Sequence, residues 1–133
     1  MNTLKIAIQK SGRLHDESIQ ILKDSGISVY NGNDQLKVTA SNFPLEVYYL
    51  RNSDIPQYLI DGVVDIAIVG DNLLVEKGQN IQIAEKLGFS KCKVSVAVPK
   101  NFNYNSIQDL NGLRVATSYP KTVVDYFFTK GIS

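Results

Sequence analysis

The strongest constraint on the fold is the apolar run Ile66-Ala67-Ile68-Val69 and what brackets it. An apolar run with no polar break reads as a strand buried on both faces, as in a parallel sheet. A helix precedes it. Ser53 or Asp54 caps that helix, and Pro56 falls in its first turn, where a missing amide hydrogen costs nothing. Ile55, Leu59, Ile60 and Val63 recur at helical spacing and form one apolar face. Gly62 ends the helix by taking a positive φ. After the strand comes a polar corner, Gly70-Asp71-Asn72. Open α/β sheets bind ligands beyond the carboxyl ends of their strands, so this corner marks a candidate binding edge.

The rest of the chain repeats that layout. Leu4, Ile6 and Ile8 alternate with Lys5, Ala7 and Gln9, which gives a strand over 4–9. Lys10-Ser11-Gly12-Arg13-Leu14 then leads into a helix over about 15–25, stopped by Gly26. Strand, polar glycine turn and helix make an anion site, because backbone amides and the positive helix end face one point. Gly12 allows a ligand close to the backbone, and Lys10 and Arg13 add positive charge. A short strand at 27–30, a turn at Asn31-Gly32-Asn33-Asp34, and strands over 36–40 and 45–50 follow, with Arg51 closing the last.

Beyond Asn72 the pattern predicts a short helix over 73–76 ended by Gly78, an extended segment over 81–87 and a loop at Gly88-Phe89-Ser90. A strand over 92–98 would carry Val94, Val96 and Val98 on one face, and Pro99 stops it. Ser106 and Asp109 have the spacing of a capping box on a short helix that stops at Asn111-Gly112. A strand over 113–118 and a helix over 121–130, opened by Tyr119-Pro120, make Thr117, Ser118 and Tyr119 a second strand-to-helix corner. The boundary between two α/β parts falls at 90–92. Residues 1–91 form a nearly complete first unit, while 92–133 need further chain to finish a sheet.

Composition narrows the function classes. The chain has 133 residues and a net charge of +1, so no global field draws it to nucleic acid or membrane. No apolar run approaches the roughly 20 residues of a membrane span. A single cysteine, Cys92, excludes an intrachain disulfide and fits a reducing compartment. The N-terminal residues enter a strand pattern directly and lack a signal-peptide core, so a cytoplasmic location is expected.

Each candidate group has two readings. Lys10-Ser11-Gly12-Arg13 is either a phosphate cradle or a solvated basic turn. Gly70-Asp71-Asn72 either holds a polar ligand such as a ribose or caps a helix. Arg51 and Asp54 are either a ligand arm with its orienting carboxylate or a surface ion pair. Thr117-Ser118-Tyr119 offers hydroxyls and a stacking ring, or only starts a helix. His15, the only histidine, reads as a solvated first-turn residue, and Cys92 as a packed strand residue. One His and one Cys make no zinc site, and neither a Walker loop nor G-x-G-x-x-G occurs.

Together, the segments are more specific. Ile6-Ala-Ile-Gln-Lys-Ser-Gly-Arg-Leu14, Leu50-Arg-Asn-Ser-Asp-Ile-Pro56, Asp61-Gly-Val-Val-Asp-Ile-Ala-Ile-Val-Gly-Asp-Asn72, Cys92-Lys-Val-Ser-Val-Ala-Val-Pro99 and Leu110-Asn-Gly-Leu-Arg-Val-Ala-Thr-Ser-Tyr-Pro120 occur in one order. In that order they resemble the N-terminal part of the ATP phosphoribosyltransferase family, in its long form with a C-terminal regulatory domain. The resemblance covers essentially the whole chain. It implies a two-lobe α/β architecture like type II periplasmic binding proteins, with the first lobe nearly complete over 1–91 and the second truncated over 92–133. It also implies joining of ATP, through N1 of adenine, to C1 of phosphoribosyl pyrophosphate, with Mg²⁺ carried on the phosphates and a homo-oligomer at full length.

By the same resemblance Lys10, Ser11, Gly12, Arg13 and Arg51 face the nucleotide. Gly70, Asp71 and Asn72 line the site from the first lobe, and Thr117, Ser118 and Tyr119 from the second. No residue is assigned as general base. Asp71 stands where many members carry Glu, which keeps the charge on a shorter arm. The family's acidic-threonine-glycine loop for the 5-phosphate of phosphoribosyl pyrophosphate has no match here, so the expectation is a fragment that does not turn over alone. The alternative is a non-enzymatic small-ligand binding module, since Asp61-Gly-Val-Val-Asp-Ile-Ala-Ile-Val and Asp109-Leu-Asn-Gly-Leu-Arg-Val-Ala also suit solute-binding lobes.

Overall fold

A computed structural model describes residues 2–30, 35–78 and 80–132. The expected turn at 31–34 lies outside them. The chain divides into two compact units, with the division between Lys91 and Cys92.

The first unit is built on a four-stranded sheet. Strands β1 (Leu4–Gln9), β2 (Lys37–Thr39), β3 (Leu45–Leu50) and β4 (Ile66–Ala67) lie in the order β2-β3-β1-β4. β1 runs parallel to both neighbours, pairing Leu4 with Leu45 through Gln9 with Leu50 on one side, and Ile6 and Ala7 with Ile66 and Ala67 on the other. β2 is antiparallel to β3. Helix α1 (Arg13–Asp24) follows β1; a 3₁₀ turn (Asn52–Asp54) and helix α2 (Ile55–Ile60) follow β3; helix α3 (Asp71–Lys77) follows β4.

The two sheet faces bury different clusters, because side chains alternate along a strand. Ile6, Ile8, Leu45, Val47 and Tyr49 pack with Leu22 of α1 and with Val38 and Ala40. Ala7 and Leu50 pack with Ile55 of α2 and with Val64, flanked by Tyr58 and Leu59. β1 is therefore covered on both faces, which is why its middle residues carry almost no polarity.

Several expectations are corrected here. β4 bridges only two residues, and Ile66 is exposed, because β4 is the edge strand and nothing covers its outer side among the described residues. Residues 27–30 form no strand. The Asn42 side chain substitutes for a strand partner, with Oδ1 accepting from the Ser28 amide at 2.8 Å and Nδ2 donating to the Gly26 carbonyl at 2.7 Å. Neither Ser53 nor Asp54 caps α2 with its side chain, because the 3₁₀ turn feeds directly into the helix and Asp54 pairs with Arg51 instead.

In the second unit, a 3₁₀ helix (Ile107–Leu110) and helix α4 (Pro120–Thr129) gather around Leu110, Phe127 and Ile132. The capping box is present: Ser106 and Asp109 each satisfy the other's backbone. The expected strands over 92–98 and 113–118 do not form. Val94, Val96, Val98, Leu113 and Val115 are exposed, and so is Cys92, which was expected to pack. A strand needs a neighbouring ladder to satisfy its amides, and the described residues of this unit offer none.

Candidate functional site

Because β1, β3 and β4 run parallel, their carboxyl ends share one edge of the sheet. The turn at 10–13, Arg51 and the corner at 70–72 all emerge from that edge, on strands about 4.8 Å apart. β1 lies between the other two. The chain leaves β1 for β3 on one side and later crosses to β4 on the other, so the turn after β1 stands where the strand order reverses. Ligands of open α/β sheets bind at that kind of reversal.

The turn after β1 is held from below. The Lys10 amide donates to the Leu50 carbonyl at 2.9 Å, and the Asp16 amide to the Gly12 carbonyl at 3.1 Å. Gly12 has a φ of 92 and is the N-cap residue of α1, with no side-chain cap. The first-turn amides of α1 are thus not covered by a capping side chain, and the positive helix end is exposed with them. Lys10, Ser11, Gly12 and Arg13 are all exposed. Arg13 lies 3.9 Å from Glu17, and the Glu17 carboxylate also accepts from the Ser90 hydroxyl.

At the end of β3, Arg51 Nε donates to Asp54 Oδ2 at 3.1 Å, with the arginine side chain 76% exposed. Such a pair is worth only ~0–1 kcal/mol in water, so it orients the guanidinium at little cost to any ligand that takes it over. At the end of β4, Gly70 enters α3 in extended conformation, and Asn72 Oδ1 accepts from the Leu73 amide at 2.9 Å. A β-carbon at residue 70 would lie 2.8 Å from that oxygen, so a larger residue would push the Asn72 side chain off the Leu73 amide. Asp71 is exposed in the first turn of α3.

Thr117, Ser118 and Tyr119 belong to the second unit. The Tyr119 amide donates to Thr117 Oγ1 at 2.9 Å, a local turn that delivers the chain to Pro120 at the start of α4. A cavity of ≈ 390 Å³ in the first unit, lined by residues including Ile19, Ile27 and Tyr30, lies at the far end of α1 and not at this edge.

One side chain at the edge was misjudged from sequence. His15 is not solvated but 7% exposed, with Nδ1 2.9 Å from the Gln9 carbonyl and its ring 5.7 Å from that of Tyr49. Among the described residues, no group of three or more His, Cys, Asp or Glu is arranged to hold a metal, and no helix is long and apolar enough to cross a membrane.

The fold and edge define a class: an α/β domain with a mixed, mainly parallel sheet whose polar strand ends present cations, bare amides and glycine corners to a ligand. Comparison with known proteins narrows it. The model of one family, HisG: ATP phosphoribosyltransferase, matches residues 51–133. The ATP phosphoribosyltransferase of Cytophaga hutchinsonii is 50% identical over 129 residues, covering 97% of this chain and 45% of the relative. That of Parabacteroides distasonis is 43% identical over 129 residues, with 97% and 46% covered. The chain belongs to the ATP phosphoribosyltransferase family and spans a little under half the length of the curated relatives it matches. Among solved structures, the ATP phosphoribosyl transferase (HisG:HisZ) complex from Thermotoga maritima matches with a TM-score of 0.57 at 22% identity, covering 98% of this chain and 61% of that one. At that identity the match speaks for the α/β fold alone.

Proposed function

We propose that this chain is the nucleotide-holding part of an enzyme that joins ATP to phosphoribosyl pyrophosphate at the opening of histidine biosynthesis. The two compact units are, in this reading, the two lobes of a type II periplasmic-binding-protein-like architecture. The adenine N1 lone pair attacks C1 of the ribose. The C1–O bond to pyrophosphate breaks, and its electron pair departs with pyrophosphate. A ring nitrogen is a modest nucleophile, so holding the two substrates in line supplies much of the rate. Charge building on the leaving group calls for cations and preorganised amides.

The observation that carries this reading is the turn after β1. Gly12, with its positive φ, starts α1 without a capping side chain, Lys10 and Arg13 flank it in the same exposed turn, and the Lys10 amide ties that turn to Leu50, next to Arg51. Lys10 and Arg13 bind phosphate oxygens of the nucleotide, Ser11 offers a hydroxyl, and Arg51 exchanges Asp54 for the ligand. Gly70, Asp71 and Asn72 meet its polar groups, and Thr117, Ser118 and Tyr119 are the polar corner that the second unit carries ahead of α4. Mg²⁺ comes with the substrate phosphates, since it keeps most of its waters and needs only one or two carboxylates. The working enzyme is a homo-oligomer in the cytoplasm.

The test is titration of MgATP into the full-length protein, followed by calorimetry. Lys10→Ala and Arg13→Ala should each weaken binding by about ten-fold or more, the scale of a lost charge-assisted hydrogen bond. Unchanged affinity in both removes the assignment. A polypeptide of residues 1–133 alone should release no pyrophosphate above a no-protein control, because no residue here matches the family's 5-phosphate loop.

A further inference from the structure

Alternate carbonyls of β1 point toward β4 and accept from the chain there. The Lys5 carbonyl accepts from the Asp65 amide at 2.8 Å, and the Ala7 carbonyl from the Ile68 amide at 3.0 Å. By the period of two, the next carbonyl on that side belongs to Gln9. β4 has ended by then, and the Gln9 carbonyl is met instead by His15 Nδ1 at 2.9 Å. A carbonyl only accepts, so Nδ1 must carry the proton. The same imidazole leans on the Tyr49 ring, tilted 46°, and is 7% exposed. One side chain in the first turn of α1 thus holds the last residue of β1 and packs on β3.

We propose that His15 is a positioning residue that braces the Lys10–Arg13 turn, so that the amides of Gly12, Arg13 and Leu14 are preset for an anion before it arrives. Backbone bonds anchor the two ends of the turn, from the Lys10 amide to the Leu50 carbonyl and from the Asp16 amide to the Gly12 carbonyl, and His15 adds a side-chain bond across it. Its residues are exposed, and Gly12 is the least restricted residue type. The bond to Gln9 closes a loop over the whole turn. Binding then costs less ordering of the backbone, which is where preorganisation raises affinity. His15 touches no ligand in this scheme. The brace concerns the phosphate end of the site and rests on the reading of that turn as a nucleotide cradle.

The full-length protein tests it with two variants and two readouts. His15→Asn keeps an N–H donor at nearly the Nδ1 position without the ring. His15→Leu fills the space without a donor. Amide hydrogen exchange at Lys10 and Asp16, whose amides are bonded to the Leu50 and Gly12 carbonyls at the two ends of the turn, referenced to core amides of Ile6 and Val47, reads the brace without any ligand. We expect exchange about ten-fold faster in His15→Leu than in wild type and largely restored in His15→Asn, the scale of one hydrogen bond. MgATP affinity should follow the same order. Wild-type exchange rates in His15→Leu overturn the proposal, and so does equal loss in both variants, which would mean that ring packing matters and the donor does not. If His15→Leu fails to fold, His15→Gln, whose amide sits one bond farther out, serves as the misplaced-donor control and should resemble the donor-less case. A wild-type protein that binds no MgATP rejects the nucleotide reading, while exchange still decides whether His15 holds the turn.

Discussion

Gly12 concentrates the site's dependence on one backbone angle. At a φ of 92 an added β-carbon finds the Gln9 side chain at an ordinary 3.5 Å, so the penalty for Gly12→Ala is conformational and not steric crowding. It should cost about 1–2 kcal/mol in urea unfolding and also weaken MgATP binding, because relaxing the strain turns the amides away. Tyr49 poses the opposite case. Its hydroxyl is buried and has no hydrogen-bond partner among the described residues. Burial pushes its phenol above the ordinary value of 10.0, because the charged form is disfavoured in the core. The folded-state pKa being the higher, Tyr49 contributes fully below pH 10 and progressively destabilises the fold above it, where the unfolded phenol ionises first. Tyr49→Phe should leave stability at pH 7 unchanged or raise it by up to about 1 kcal/mol, and should blunt the alkaline loss seen in unfolding scans. Sequence marked Gly12 through its turn chemistry. It had no means of marking Tyr49 or His15, since the burial of both is set where α1 packs on β3, between residues distant in the chain.

At the scale of elements, local chemistry was most legible where it is self-contained. β1 and β3 have the bounds their alternation predicts, and the Ser106–Asp109 box closes as its spacing requires. The Asp109 carboxylate accepts from the Asn105 amide at 2.7 Å and the Ser106 amide at 3.1 Å, in that order holding its pKa below the ordinary 3.8. A depressed folded-state pKa means the cap contributes in full above about pH 3.8 and is lost as acid protonates it below that. Asp109→Asn should therefore be less stable than wild type at pH 7, with the gap closing in acid, as read by amide protection at residues 105–110. Elements whose existence depends on a partner were misread. The segments over 92–98 and 113–118 have the alternation of strands, but alternation specifies a face and not a ladder. For residues 27–30, the expected ladder is replaced by the Asn42 side chain on the Ser28 amide and the Ser41 amide on the Ser28 carbonyl, contacts that no periodicity announces.

At the scale of the whole molecule, the two units keep separate cores that share no residue. The first unit buries both sheet faces, whereas the second rests on Leu110, Phe127 and Ile132. Phe127→Ala should cost about 3–5 kcal/mol, more than so small a core can spare. Hydrogen exchange should then show protection lost throughout 106–132 and retained in β1 and β3; simultaneous loss in both units would show that they unfold as one. The sequence by itself determined the α/β class, the parallel character of the central strands and the residue types of the strand-end edge. Those depend on hydrophobic period, turn chemistry and local caps, all carried within a few residues. Only the tertiary structure decided that Arg51, Gly12 and Gly70 stand in a row, that His15 is an internal brace and that the valine-rich segments remain unpaired. Strand order, burial and hydrogen-bond partners arise between residues far apart in the chain, and no local pattern encodes which of them will meet.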